Sequence, residues 1–165
     1  MSNEKYNINI ALCESFDENT KSASKFLNEI GLLDEDEIVK LDIVTIVNYI
    51  GNKGKNFKLD YFMVPISLKK NKEGSFVLPL FMTDFTIKKV ENEKSYNKME
   101  RIVANNISSK PLNISFLGEG LYEIQVYEYD KQDEKLEKDP IKRYKDYKKN
   151  NKNVITALQI NVTCV

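Results

Sequence analysis

The fold is decided by residues 116–129, which read Phe-Leu-Gly-Glu-Gly-Leu-Tyr-Glu-Ile-Gln-Val-Tyr-Glu-Tyr. The two glycines near the start indicate a sharp turn, because glycine adopts backbone conformations that other residues avoid. After the turn, Tyr122, Ile124 and Val126 occupy alternate positions, which is the spacing of one face of a β-strand. Polar and aromatic residues fill the positions between them. The stretch therefore predicts a corner that leads into a strand with one apolar face.

The spacing Leu117-x-x-Gly120-x-Tyr122 resembles the tyrosine corner of immunoglobulin-like and fibronectin type III-like sandwiches. In those domains a tyrosine near the start of a late strand hydrogen-bonds back across the corner. The resemblance implies that Tyr122 specifies the fold and that its hydroxyl is bonded to the backbone of the corner. Ile124 stands where antibody domains carry their second cysteine, so the resemblance concerns architecture and indicates no specific family.

Alternating apolar residues predict further strands on both sides of the corner. The clearest are at 6–12 and 154–164, where apolar residues recur at every second position. A β-branched run at 38–50 favours a central strand, with a helix as the alternative. A shorter alternating segment at 112–116 leads into the corner.

The middle of the chain predicts a hairpin with two irregularities. Its strands lie at 57–68 and 76–87. Pro65 and Pro79 indicate a bulge or an edge position, because proline cannot donate a hydrogen bond to a neighbouring strand. Residues 99–107 fit a short strand or a helical turn, and the sequence does not decide between them.

Two long charged connections interrupt the strands, at about 14–37 and 131–152. In the first, Thr20 and Gly31 are start and stop signals for a short helix. Its apolar positions at helical spacing are Ala23, Phe26, Leu27 and Ile30. The second connection is open to partial helix formation. We predict an all-β fold, with residues 1–165 forming a single antiparallel β-sandwich of seven or eight strands.

The composition excludes most catalytic chemistry. The 165 residues include no histidine, which removes Ser-His-Asp, Cys-His and His-dependent metal sites. No Gly-x-Gly-x-x-Gly or phosphate-loop sequence is present. We expect the two cysteines, Cys13 and Cys164, to be reduced, although the sequence does not decide whether they pair. The chain is therefore predicted not to be an enzyme and to need no cofactor.

Charge and hydropathy bound the location and the partners. The 25 Lys and Arg residues balance 25 Asp and Glu residues, so no overall field attracts nucleic acid, and such a partner is not favoured. No apolar run reaches the roughly 18 residues of a membrane span, and the start lacks a signal-peptide core. We expect a cytoplasmic protein that does not enter a membrane. Heavy use of Lys, Asn and Ile is typical of an AT-rich genome, such as that of a low-GC bacterium or its phage or mobile element.

Carboxylates supply the alternative function. Asp42, Asp60 and Asp84 each lie inside an apolar strand, and on a shared face they would form a metal or general-acid cluster. Such a cluster would make the chain a metal-dependent enzyme or a ligand-binding sandwich. Alternation places the three side chains outward just as easily, so no metal site is predicted. The acidic run at 34–37 lacks the spacing of a calcium loop and is interpreted as a solvated connector.

A basic stretch with interleaved tyrosines, residues 141–149, is the candidate contact surface. A solvated hairpin is the simplest interpretation. The alternatives are a basic patch that meets an acidic protein partner, and single-stranded nucleic acid, because such tyrosines can stack on bases. The predicted partner-binding residues are Lys142, Arg143, Tyr144, Lys145, Tyr147, Lys148 and Lys149.

The two connections carry opposite charge. Residues 14–37 contain eight acidic residues and two lysines, whereas 131–152 contain nine cations and five acidic residues. If the two connections emerge at opposite ends of the sandwich, this asymmetry can orient a protein partner or drive self-association. The sequence therefore predicts a non-enzymatic protein-interaction module, and an inhibitor or an accessory subunit would fit its size.

Overall fold

A computed structural model describes residues 5–17, 19–20, 22–32, 38–39, 42–50, 54–69, 77–87, 99–107, 112–113, 118–129 and 137–164. Within them the chain forms eleven strands and one helix. The strands are β1 (Lys5–Asp17), β2 (Ser22–Leu27), β3 (Glu29–Leu32), β4 (Ile38–Val39), β5 (Asp42–Ile50), β6 (Lys55–Leu68), β7 (Leu78–Ile87), β8 (Met99–Ile107), β9 (Leu112–Asn113), β10 (Gly120–Glu128) and β11 (Thr156–Cys164). The helix α1 (Pro140–Lys149) lies between the last two strands. The all-β prediction is confirmed, and the excursion before the last strand contains a helix.

The strands form two main sheets. Sheet A has the order β2-β1-β5-β8, and sheet B has the order β3-β11-β10-β6-β7. The short strands β4 and β9 pair with each other separately. The described ladders are antiparallel except for that between β3 and β11, which is parallel. The predicted sandwich is therefore antiparallel with one exception, and it has more strands than predicted.

One apolar core joins the two sheets. Tyr61 of sheet B and Thr45 of sheet A are both buried, and their hydroxyl oxygens lie 2.6 Å apart. This contact gives both polar groups a partner where water cannot reach them. The other buried members of the core are Ile8, Leu12, Ile30, Ile43, Val47, Tyr49, Phe57, Leu59, Met63, Leu80, Tyr122, Ile124, Val126, Ile160 and Val162. The predicted apolar face of β10 therefore lies in the interior.

The helix predicted from Thr20 to Gly31 is wrong, because the chain forms β2 and β3 there. β2 pairs with β1 in sheet A, and after Asn28 the chain crosses to pair with β11 in sheet B. The apolar residues do not share one face, since Phe26 is 69% exposed and Ile30 is buried. Pairing with strands already present satisfies the backbone groups that a helix would otherwise satisfy internally. The segment therefore links one edge of each sheet.

Both prolines lie beside irregular pairings, as the sequence predicted. In the ladder between β6 and β10, Leu121 pairs with Ser67 and Tyr122 pairs with Pro65, so Ile66 is the extra residue of a bulge. In the ladder between β6 and β7 the register shifts again near Pro79. β7 is an edge strand of sheet B, which is where proline is tolerated.

The corner before β10 has the predicted hydrogen bond. The Tyr122 hydroxyl donates to the carbonyl oxygen of Gly118 over 2.8 Å, and its ring is buried. Gly120 has a φ of +151°, and a Cβ there would lie 2.2 Å from the carbonyl oxygen of Ser67. No side chain fits at that distance, so glycine is required. Leu117, the third residue of the motif, lies outside the described residues.

Cys13 is a buried free thiol whose Sγ lies 3.5 Å from the carbonyl oxygen of Asp42. Burial raises the pKa of this thiol, and the charge of Asp42 adds to the rise. The side chain of Cys164 lies outside the described residues. Among the helical residues that the structure describes, no helix is long and apolar enough to span a membrane.

Candidate functional site

The helix α1 begins and ends with residues suited to those positions. Asp139 is the N-cap, and its side chain accepts from the backbone N–H groups of Ile141 and Lys142. Pro140 opens the first turn, where no internal N–H donor is needed. Lys148 and Lys149 lie in the last turn, where positive charge interacts favourably with the helix dipole. These local signals define a helix whose ends are stabilised by its own sequence.

One side of α1 packs on the outer face of sheet B, which we define as the face turned away from sheet A. Tyr144 and Tyr147 are buried there against Phe62 of β6 and Tyr127 of β10. The rings of Tyr127 and Tyr147 are stacked, with centroids 4.9 Å apart, and those of Phe62 and Tyr144 are 5.2 Å apart. Aromatic pairs in these arrangements are stabilising beyond their buried area. The helix is therefore held by a second, smaller core of aromatic residues, which we call the outer core.

A buried ion pair adjoins this aromatic core. Arg143 Nε donates to Asp60 Oδ2 over 2.8 Å, and Arg143 Nη2 donates to Oδ1 over 3.4 Å. The Tyr147 hydroxyl donates to the same Oδ2 over 3.1 Å. Arg143 Nη1 also donates to the carbonyl oxygens of Glu137 and Lys138, over 3.0 and 3.1 Å. We call Asp60, Arg143 and Tyr147 the clamp, because together they attach α1 and the residues before it to β6.

Burial and ion pairing together determine the pKa values of the clamp residues. It raises the pKa of the Asp60 carboxyl, while the hydrogen bonds and charge of Arg143 and the hydroxyl of Tyr147 oppose that rise. Burial alone would lower the pKa of Arg143, but the hydrogen bond and charge of Asp60 outweigh it and leave this pKa raised. Burial and the adjacent carboxylate both raise the pKa of Tyr147. An unpaired charge at this place would be costly, so each partner requires the other.

The opposite side of α1 is covered with lysine. Lys142, Lys145, Lys148 and Lys149 are exposed, and no ion pair among the described residues includes any of them. The seven predicted contact residues therefore separate into two groups. The four lysines lie on the solvent side, whereas Arg143, Tyr144 and Tyr147 lie on the side packed against sheet B. The surface offers positive charge without exposed aromatic rings.

The three strand aspartates do not come together. Asp42 lies in sheet A, Asp60 belongs to the clamp, and Asp84 lies on β7, where it pairs with Lys58 at 3.6 Å. Among the residues that the structure describes, no group of three or more His, Cys, Asp or Glu side chains could hold a metal ion. The acidic run at 34–37 lies outside those residues.

Sequence reasoning missed the outer face of sheet B as a packing surface. The sequence contains a signal for this packing surface. Asp60, Phe62 and Val64 alternate with the inward positions of β6, and two of these three residues are apolar. Apolar residues on both phases of a strand indicate that both of its faces are buried. An aspartate among them requires a cationic partner, and Arg143 is one of only two arginines in the chain.

Comparison with known proteins identifies no family for this chain. No family model and no curated protein matches the chain. Among solved structures the chain is similar to a β-glucosidase from Kluyveromyces marxianus, with TM-score 0.44, 8% identity and coverage of 99% of this chain and 14% of that chain. It is similar to a β-glucosidase from Listeria innocua in complex with isofagomine, with TM-score 0.45, 8% identity and coverage of 99% and 17%.

A third likeness covers almost all of both chains. It is to the CARDB domain of the PF1109 protein from Pyrococcus furiosus in complex with di-metal ions, with TM-score 0.37, 11% identity and coverage of 99% of this chain and 96% of that chain. By contrast, the chain spans 14% and 17% of the two glucosidases. At these identities and TM-scores the likenesses identify no family for this chain.

Proposed function

We propose that this chain is a non-enzymatic protein-interaction module that binds an acidic protein through the exposed side of α1. The observation that carries the proposal is the division of α1 into two sides. Arg143, Tyr144 and Tyr147 attach one side to sheet B, and the four lysines stand on the other without ion-pair partners among the described residues. Attachment of the helix reduces the conformational entropy that a partner must remove on binding.

The chemistry of the surface favours carboxylates over nucleic acid. The rings that could stack on bases, Tyr144 and Tyr147, are packed against Phe62 and Tyr127. Arg143, which could bind a phosphate with two parallel hydrogen bonds, is already paired with Asp60. What remains is a set of flexible point charges, which attract an acidic surface and accelerate association in a salt-dependent way.

The architecture supports an interaction role of the immunoglobulin-like kind. Within sheet B the order β11-β10-β6-β7 matches the G-F-C-C′ order of that fold, and within sheet A the order β1-β5-β8 matches A-B-E. The edge strands β3 and β2 are additions to that pattern. On this assignment, α1 lies in the connection between strands F and G. The hydrogen bond from Tyr122 to Gly118 is the corresponding corner contact. The fold hosts many functions, so the surface of α1 carries the proposal rather than the topology.

A paired capture experiment tests the proposed function. The wild-type chain and a variant with Lys142→Gln, Lys145→Gln, Lys148→Gln and Lys149→Gln are immobilised at equal density and exposed to a nuclease-treated bacterial lysate. Glutamine preserves helix propensity, so the two proteins should differ only in charge. We expect acidic proteins that elute with salt from the wild type and are absent from the variant. Identical captured sets would contradict the proposal.

A further inference from the structure

The lysines of α1 are not equivalent. Lys148 Nζ lies 5.9 Å from the ring centroid of Tyr144, so it leans over the aromatic core at the flank of the helix. Lys142, Lys145 and Lys149 are spaced i, i+3 and i+7, which places them along one line of a helix. They are exposed, and that line lies opposite the buried residues. We call these three residues the lysine row.

The lysine row is short and straight. With a rise of about 1.5 Å per residue, the three Cα atoms span about 10 Å along the axis. The arginine of the helix does not add to the row, because Arg143 is paired with Asp60 on the other side of α1. Asp146 lies four residues after Lys142 and three before Lys149, so it borders the row on the same exposed side, where three lysines still outnumber one aspartate. No ion pair among the described residues joins Asp146 to the row.

We propose that the lysine row is a docking surface for a short acidic peptide segment of the partner, with three carboxylates presented along one side. This inference rests on the proposed function and names the part of the partner that α1 receives. In an extended peptide, side chains on one side recur about every 6.6 Å, so three acidic residues at alternate positions span about 13 Å. The long flexible side chains of the three lysines cover the small difference in length.

The clamp holds the lysine row in one orientation. Because Asp60 contacts Arg143 and Tyr147 at once, α1 is fixed in rotation about its own axis as well as in position. The row therefore projects from sheet B at a constant angle. A helix free to rotate about its axis would not hold the three lysines in one position, and an acidic segment would gain less from them.

Fluorescence anisotropy with a labelled decaglutamate peptide tests the proposal at low ionic strength. The test variant is Lys145→Gln/Lys149→Gln. The matched control is Lys25→Gln/Lys69→Gln, which removes two lysines whose side chains are 72% and 66% exposed elsewhere on the surface. We expect the Kd to rise about tenfold in the test variant and less than about twofold in the control, as for the loss of two charge pairs against none.

Two results would overturn the proposal. Equal weakening in the two variants would show that the peptide responds to overall charge and not to the row. Tighter binding of a ten-nucleotide oligothymidylate than of decaglutamate would show that the surface prefers phosphate. In the first case the docking row fails, but the interaction module still stands if the capture experiment separates the wild type from the variant with four Lys→Gln changes.

Discussion

The two faces of sheet B are both buried, but by different chemistry. The inner face packs on sheet A through side chains such as Leu59 and Ile124, which are fully buried and apolar. The outer face packs on α1 through aromatic rings arranged beside an ion pair, with Asp60 and Phe62 contributed by the same strand, β6. Successive residues of β6 therefore enter two separate cores.

The difference shows where a partner surface can lie. The sequence does not show which element covers the phase of β6 that carries Asp60, Phe62 and Val64. In the structure that phase is a core, because α1 covers it, and the accessible surface moves outward to the lysines of the helix. The inner core defines the sandwich, and the outer core positions the surface that we propose to be functional.

The largest expected loss of stability comes from removing the carboxylate of the buried ion pair beside the outer core. Asp60→Ala should lower the free energy of unfolding by about 4 kcal/mol, because it leaves Arg143 buried without a counter-ion. Urea denaturation measures the change. The control Asp60→Leu/Arg143→Met removes both charges and should cost about 1 kcal/mol or less. Equal losses in the single and double variants would mean that the ion pair does not determine the stability of the outer core.

The inner core should respond to lost volume instead. Leu59→Ala should lower the free energy of unfolding by about 3 kcal/mol, since it opens a cavity between the sheets. Val64→Ala, at the half-buried margin of the outer core, is the matched comparison and should cost about 1 kcal/mol. Both values come from chemical denaturation. Equal costs would show that the two faces of sheet B are packed equally tightly.

Alkaline pH should weaken both cores through their tyrosines. Burial, with smaller contributions from Tyr144 and Glu123, raises the pKa of Tyr127 to about 12. Burial also raises the pKa values of Tyr61 and Tyr147. The folded-state value of Tyr127 lies above the unfolded value of about 10, so its contribution to stability is complete below pH 10 and declines as the pH rises toward 12.

Urea midpoints between pH 8 and pH 12 measure this decline. Tyr127→Phe should show a shallower decline over the same interval, because one of the groups responsible is absent. A midpoint that stays constant to pH 12 would contradict the burial of these phenols.

The smallest expected loss of stability comes from the hydroxyl group of Tyr122 at the corner before β10. Tyr122→Phe removes one hydrogen bond to Gly118 and should cost about 1 kcal/mol while leaving the binding of decaglutamate unchanged. Tyr6→Phe is the control, because the Tyr6 hydroxyl bonds to Glu128 at an exposed position and should cost less. Loss of binding in a Tyr122→Phe protein that melts normally would show that Tyr122 contacts the partner.

The inner core could be predicted from the sequence because its pattern is local. The alternation of Tyr122, Ile124 and Val126 indicates both the strand and the buried face, and the two prolines indicate the irregular pairings. The segment from Thr20 to Gly31 could not be predicted in this way. Its helical spacing is real, but pairing with β1 and β11 determines its structure, and those partners are distant in the sequence.

Which residues pair within the outer core could not be predicted for the same reason. Asp60 and Arg143 are 83 residues apart, and neither indicates the other through local periodicity. The sequence predicts the tyrosines of residues 141–149 as partner-binding residues, because a basic stretch with interleaved aromatic residues is typical of a stacking surface. Only the placement of α1 on sheet B assigns the rings to packing and leaves the lysines exposed.

Amide hydrogen exchange in α1 tests most directly whether the outer core fixes the helix that carries the proposed surface. The backbone amides of Tyr144 and Tyr147 are compared with those of Ile124 and Val126 in β10. We predict that all four exchange slowly in the wild type, and that the two helix amides alone become fast in Asp60→Ala. Fast exchange of the helix amides in the wild type would contradict the account, because α1 would then not be held against sheet B.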